Sequence, residues 1–336
     1  GLPGGGMTLT EKCAPYRDQL RFRPRVWGEA YGESDVGKFR LRIRFIDEFR
    51  HYFKASTDKY TWPDEVIIDN LFLEGRDLFD RTFDFTIGRQ DIHNLYGLDH
   101  LFDDGTPGDW SRTFYSDMAR GTYHLDDGST LDFFGAYDMD DNQLRVWGID
   151  EETRRAQTGF GGKAERGMDD WGFGAIWSDK LAKDVPYQFF VMNKNTASYY
   201  HPKWGNRPWT RRGMVGAKVT PKLDDEWSLQ LEAMGQAGVN GENQTLCGAS
   251  AYSGVNWKSS RNGIKPFATL GYQFMSGSDN AADEDGGHQT WDPMWSRSAL
   301  NSEMFLYGTH YGAGMWSNIH YPKFTAGLDF GRLHKL

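Results

Sequence analysis

The sequence predicts an all-β chain, a transmembrane antiparallel β-barrel. Three observations carry that prediction: side chains alternate apolar and charged over long stretches, connections alternate short and long, and aromatic residues gather near strand ends. The first is plainest in L-R-F-R-P-R-V-W-G (20–28) and F-R-L-R-I-R-F (39–45). In extended chain, Arg21, Arg23 and Arg25 fall opposite Leu20, Phe22 and Val26, and Arg40, Arg42 and Arg44 fall opposite Phe39, Leu41, Ile43 and Phe45.

Taken in order, period-2 alternation predicts strands over 19–31, 39–53, 65–74, 82–92, 114–125, 130–138, 168–178, 186–195, 209–220, 227–238, 245–258, 264–276, 309–320 and 323–332. The run from Trp227 is the cleanest late example. Leu229, Leu231, Ala233, Gly235 and Ala237 share a face, and Gln230, Glu232, Met234 and Gln236 share the other. Several of these strands exceed the usual length of about 5 to 6 residues and match the roughly 9 to 11 that cross a bilayer with tilt.

Tight turns at 32–38, 126–129 and 259–262 alternate with long connections at 93–113, 139–167 and 277–308. Short turns at one rim and long loops at the other describe an outer-membrane barrel with its long loops extracellular. Trp27, Tyr31, Trp171, Trp177, Trp209, Trp227, Trp257 and Tyr272 are read as the interfacial girdles. Residues 1–18 are read as an N-terminal extension and 19–336 as the barrel. About 14 strands are visible; because they begin and end at the same rim, 16–18 are expected in a complete barrel.

Composition agrees. Hydrophobic residues are only 38% of the 336, yet aromatics reach 15%. No apolar run approaches a transmembrane helix, and a net charge of −9 argues against nucleic acid as the partner. Cys13 and Cys247 form neither a disulfide framework nor a metal spacing. The nine histidines are scattered and no hydrolase, zinc or nucleotide motif occurs, so no enzyme is expected. The acidic loops 98–110 and 279–288 offer the oxygen ligands calcium takes but lack EF-hand spacing; they are read as solvated, and no cofactor is expected.

An arginine on the lipid face costs about 2 to 4 kcal/mol near the midplane, so the two arginine rows must face the lumen. Rings of basic side chains are how pores favour anions. The candidate pore-lining set is therefore Arg21, Arg23, Arg25, Arg40, Arg42 and Arg44, extended on inward parity by Arg120, Arg212, Lys218 and Lys265. Glu29, Asp69, Asp132, Glu232 and Asp329 are the candidate compensating acids. A purely structural ladder is the other use of such rows. The alternative function is a soluble β-rich carbohydrate-binding protein, which accounts equally for the tryptophans.

Several ordered stretches resemble the alginate-export family of outer-membrane porins. They are R-P-R-V-W-G (23–28), F-T-I-G-R-Q-D-I (85–92), R-T-F-Y-S-D-M-A-R (112–120), T-R-R-G-M-V-G-A-K-V-T (210–220), L-Q-L-E-A-M-G-Q-A-G (229–238), and S-G-S-D-N with W-D-P-M-W (276–280, 291–295). The resemblance implies a monomeric barrel of eighteen strands in a Gram-negative outer membrane, among lipid and lipopolysaccharide. Its arginine-rich pore would pass an anionic polysaccharide such as alginate, or smaller organic anions, passively. It also places Arg89 in the pore, although alternation sets Arg89 with Phe85 and Ile87; a bulge at Gly88 would reverse it. The family's aspartate position is F-Y-S-D here, at Asp117.

Overall fold

The computed structural model describes residues 18–22, 24–46, 49–53, 60–61, 65–92, 94–98, 100–103, 115–138, 144–148, 169–201, 205–260, 264–277, 289–296 and 319–330. Thirteen strands pair with their sequence neighbours, all antiparallel. They are β1 (Arg25–Ser34), β2 (Gly37–Ile46), β3 (Glu65–Asp77), β4 (Phe83–Gln90), β5 (Ser116–His124), β6 (Thr130–Asp138), β7 (Asp170–Ala182), β8 (Val185–Thr196), β9 (Thr210–Val219), β10 (Trp227–Asn240), β11 (Thr245–Lys258), β12 (Lys265–Met275) and β13 (Ile319–Asp329). A fourteenth strand, Arg145–Gly148, docks on Glu65–Ile67. The fold is thus the all-β barrel sheet that alternation predicts, and among the described residues its edges β1 and β13 do not pair with each other.

Connections sort by rim. Residues 35–36, 78–82, 125–129, 183–184, 220–226 and 259–264 turn at one end of the sheet, and 47–64, 91–115, 139–169, 197–209, 241–244 and 276–318 connect at the other. The turn at 125–129 shows the local reason: Gly128 takes φ +84°, a left-handed conformation that closes the hairpin while the Leu125 N–H donates to the Ser129 carbonyl. Asp127 accepts from the Ser129 hydroxyl and amide, which holds its carboxyl below the usual range.

Unbroken ladders enforce strict alternation of faces. Leu41, Leu73, Ile87, Phe133, Phe173, Phe189, Val215, Leu231, Leu270 and Phe324 all project outward and exposed. Phe173 retains 67% exposure, with no second layer of described residues over it. Apolar side chains left bare in a continuous band are what a barrel wall presents to lipid. Tyr137 opposes Trp171 toward the long-loop rim, and Leu131 opposes Trp177 on the turn side, so outward aromatics stand at two levels.

Four expectations need correction. Residues 19–31 are not one strand: Asp18–Phe22 pairs with Phe49–Phe53 in a separate small sheet, and β1 begins after Pro24, whose missing N–H cannot join a ladder. The last two predicted strands reduce to β13, which spans their boundary, while 309–318 lies outside the described residues. With thirteen sequential strands, the sheet ends at the short-turn rim and not at the rim where it began. Trp27 and Tyr31 are not girdle residues, because they stand opposite Arg44 and Arg40 and share the inward face of Glu29.

The outward face makes a direct prediction. Phe173→Arg is expected to lower folding stability in lipid vesicles by about 2 to 4 kcal/mol, read by urea titration, because a charge would enter the hydrocarbon. A solvent-exposed face would tolerate the substitution with little change.

Candidate functional site

The inward face begins with a charged wall on β1, β2 and β3. Arg42 lies 2.9 Å from Glu29, Arg40 lies 2.8 Å from Glu74 and 3.9 Å from Glu29, and Arg76 lies 2.8 Å from Glu74. Within this ion-pair network three guanidiniums share two carboxylates. The Tyr31 hydroxyl also donates to Glu29. The Arg40 and Arg42 side chains remain 27% and 24% exposed, so the wall is wetted and not sealed.

Arg44 is different because a register shift reaches it. Asn70 pairs with Arg44 but Ile68 with Phe45, so Asp69 is the extra residue of a bulge, and its side chain meets the guanidinium. Arg44 donates two hydrogen bonds to Asp69, at 2.7 and 2.9 Å, and two to Asp91, at 2.9 and 2.7 Å. A buried guanidinium held by two carboxylates ties the wall to the start of the β4–β5 connection.

That connection turns into the sheet's interior. Asp91 leaves β4 and Ile92 is buried; a single 3-10 turn at Leu95–Gly97 then leads to Leu98, Leu101 and Phe102, all buried. A second inward segment, 289–296, comes from the β12–β13 connection, and the two meet in a short parallel ladder that pairs Trp295 with Phe102. Their rings stack with centroids 5.9 Å apart, and Phe134 of β6 meets the Trp295 ring edge to face at 5.2 Å. Around them close Met118, Ile176, Phe190, Met192, Met214, Met234 and Met275 from the inner faces of β5, β7 to β10 and β12. Alternation sets Met234 on the same face as Gln230, Glu232 and Gln236. Unbranched methionines fill the irregular space between a strand wall and folded loops, which makes that face an apolar seat.

Basic side chains of this wall hold the loops. Lys218 donates to the Gly97 carbonyl at 2.5 Å and pairs with Glu232 at 3.2 Å, and Glu232 also meets the His100 ring at 2.8 Å. Lys194 donates to the Met294 carbonyl at 2.8 Å, and Arg212 to the Thr290 carbonyl at 3.2 Å. Gln236 exchanges two hydrogen bonds with the Asp292 backbone, at 2.6 and 3.0 Å. Arg212 and Lys218 thus face inward, with loop carbonyls as their partners.

The other candidates are dispersed. Arg120 donates to Gln90 at 2.7 Å; Asp132 accepts from Thr122 at 2.5 Å and is no direct partner of an arginine in these contacts. Lys265 stands opposite Asp329, whose ion pair at 2.8 Å is with Lys258. Arg25 is exposed on β1; the Arg21 side chain and all of Arg23 lie outside the described residues.

Arg89 corrects the bulge expectation. The ladder runs without a shift from Ile87 to Gln90, so Arg89 keeps the parity of Ile87, opposite Asp117. It is only 2% exposed, bonded to Asp117 at 2.9 and 2.8 Å, and stacked over the Tyr115 ring at 3.9 Å. Gly88 permits this at φ +122°, where a Cβ would lie 2.3 Å from the Leu71 carbonyl oxygen. Among the described residues no group of three or more His, Cys, Asp or Glu can hold a metal; the acidic loop stretches 104–110 and 279–288 fall outside them.

No family model matches the chain, and no curated protein matches it. Among solved structures, it is similar to in-vitro folded OmpT, an outer membrane protein of Vibrio cholerae. The identity is 9% and the TM-score 0.36, over 77% of this chain and 87% of that one. It is similar also to OprB of Pseudomonas putida in a high-pH structure, at 10% identity and TM-score 0.37, over 92% and 84%. Likeness this faint says nothing of what the chain does.

Removing one partner of a buried ion pair leaves the other charge uncompensated. Asp69→Ala is therefore expected to cost about 3 to 5 kcal/mol of folding stability, and Gly88→Ala about 1 to 3 kcal/mol through backbone strain. Urea-dependent refolding into vesicles measures both.

Proposed function

We propose that this chain is a passive diffusion channel of a Gram-negative outer membrane, favouring anionic solutes, with an anionic polysaccharide such as alginate within the class. The observation that carries the reading is the opposition of faces: a bare apolar band outside, and inside it a wetted arginine wall facing an apolar, loop-filled wall. The inward loops narrow the lumen on the side of β5 to β12, so a solute passes along β1 to β3. There the guanidiniums of Arg40, Arg42 and Arg76 outnumber their two carboxylate partners, and a low-dielectric wall concentrates the field of that excess. Paired arginines bind weakly, which conduction requires. The long connections face the cell exterior on this reading, by the usual asymmetry of bacterial barrels. No catalysis is proposed, and a monomer suffices.

The outward band disfavours the alternative of a soluble carbohydrate-binding protein, since Phe173, Leu231 and Phe324 would lie in water.

Purified chain in planar bilayers is expected to give discrete conductance steps, with a reversal potential under a salt gradient on the anion side. Arg40→Gln with Arg42→Gln should move that potential toward cations, because Glu29 would lose both of its guanidinium partners and Glu74 one of its two. Trp295→Ala should raise the conductance of each step by loosening the inward loops, at about 3 to 5 kcal/mol of stability. Absence of steps sinks the channel; steps that prefer cations sink the selectivity.

A further inference from the structure

The outer face carries a second constellation near the long-loop rim. The ladders set Trp171 of β7 opposite Asn195 of β8, and Asn195 opposite Arg211 of β9. With Trp209, Thr210 and residues 196–198 they line a hollow of about 310 Å³. Its frame is tied to the backbone: the Asn195 amide donates to the Trp171 carbonyl at 3.4 Å, and Ser198 accepts from the Trp209 N–H at 3.0 Å.

Arg211 stands apart from the ion-paired arginines. Arg40, Arg42, Arg44, Arg89 and Arg212 each have a carboxylate within 4 Å; Arg211 has none among the described residues, and its guanidinium lies 5.0 Å from the centroid of the Trp209 ring. Stacked so, it keeps its planar N–H edge open to an oxyanion, the geometry that grips phosphate in two parallel hydrogen bonds. A cation on a lipid-facing strand is tolerated at headgroup depth, where tryptophans also gather. Indole faces are also apolar platforms on which a sugar ring can lie.

We propose that this hollow binds the phosphorylated sugar headgroup of a glycolipid in the leaflet at the long-loop rim, with Arg211 taking the phosphate and the two indoles the sugar. The proposal rests on the reading of the chain as a membrane barrel.

The probe is bis-phosphorylated lipid A, beside the same lipid after phosphatase treatment, each added to detergent-folded chain and read by native mass spectrometry. Wild-type chain should hold one phosphorylated lipid. Binding about tenfold weaker is expected for Arg211→Gln, for Trp209→Ala and for the dephosphorylated lipid. Equal occupancy in Arg211→Gln, or equal binding of both lipids, overturns the site. Displacement by equimolar inorganic phosphate would assign the hollow to a free anion and overturn the lipid. Conductance steps unchanged in Arg211→Gln verify its fold. If neither protein conducts, the channel reading fails while the lipid occupancies still decide this one.

Discussion

The structure depends on the unbroken antiparallel ladder. In hydrocarbon an unpaired N–H or C=O finds no water, so a lipid-facing wall must satisfy its backbone within the sheet. Strands that pair residue for residue leave no freedom over side-chain direction: successive residues go out, in, out. Every polar or charged group on an inward position then needs a partner inside. The interior is accordingly dense with ion pairs, whereas the exterior is mostly bare Val, Leu and Phe.

At Asp69 the ladder slips, and the slip serves an interior charge. The bulge at Asp69 adds one residue to β3 and brings its carboxylate to Arg44, which is thereby compensated on both sides. A buried guanidinium with one carboxylate would keep donors unpaired in a poorly solvated place. The second carboxylate, Asp91, also fixes where the β4–β5 connection departs from the wall, so the same charge that closes the wall starts the fold of the inward loop.

Two inward walls of opposite character follow. One offers guanidiniums to water. The other offers methionines and aromatic rings to two loops, which bring Leu98, Phe102, Trp291 and Trp295 of their own, and form a core where a simple pore would be empty. Lys194, Arg212 and Lys218 bridge the two regimes, with stems along apolar surface and charged ends on loop carbonyls and on Asp292 or Glu232. Loop position is therefore coupled to wall charge.

Strand identity, the order of short and long connections, and the facing of Arg40, Arg42 and Arg44 were legible in the sequence, because period-2 alternation is a local property that each strand carries by itself. So were Glu29 and Asp69 as acids near those arginines. Neither the bulge that aims Asp69 nor the uninterrupted register that keeps Arg89 with Ile87 could be read there, since both depend on which residue of the neighbouring strand stands opposite. The inward core was missed for a related reason. Met118, Met192, Met214, Met234 and Met275 sit on the face that alternation labels polar, and that label hid the one available signal, methionine recurring at inward positions. What those methionines pack against comes from segments far away in sequence, 94–98 with 100–103 and 289–296, and only the folded sheet brings such segments into one volume. Local pattern determined which face each side chain takes; three-dimensional proximity alone decided what it meets there.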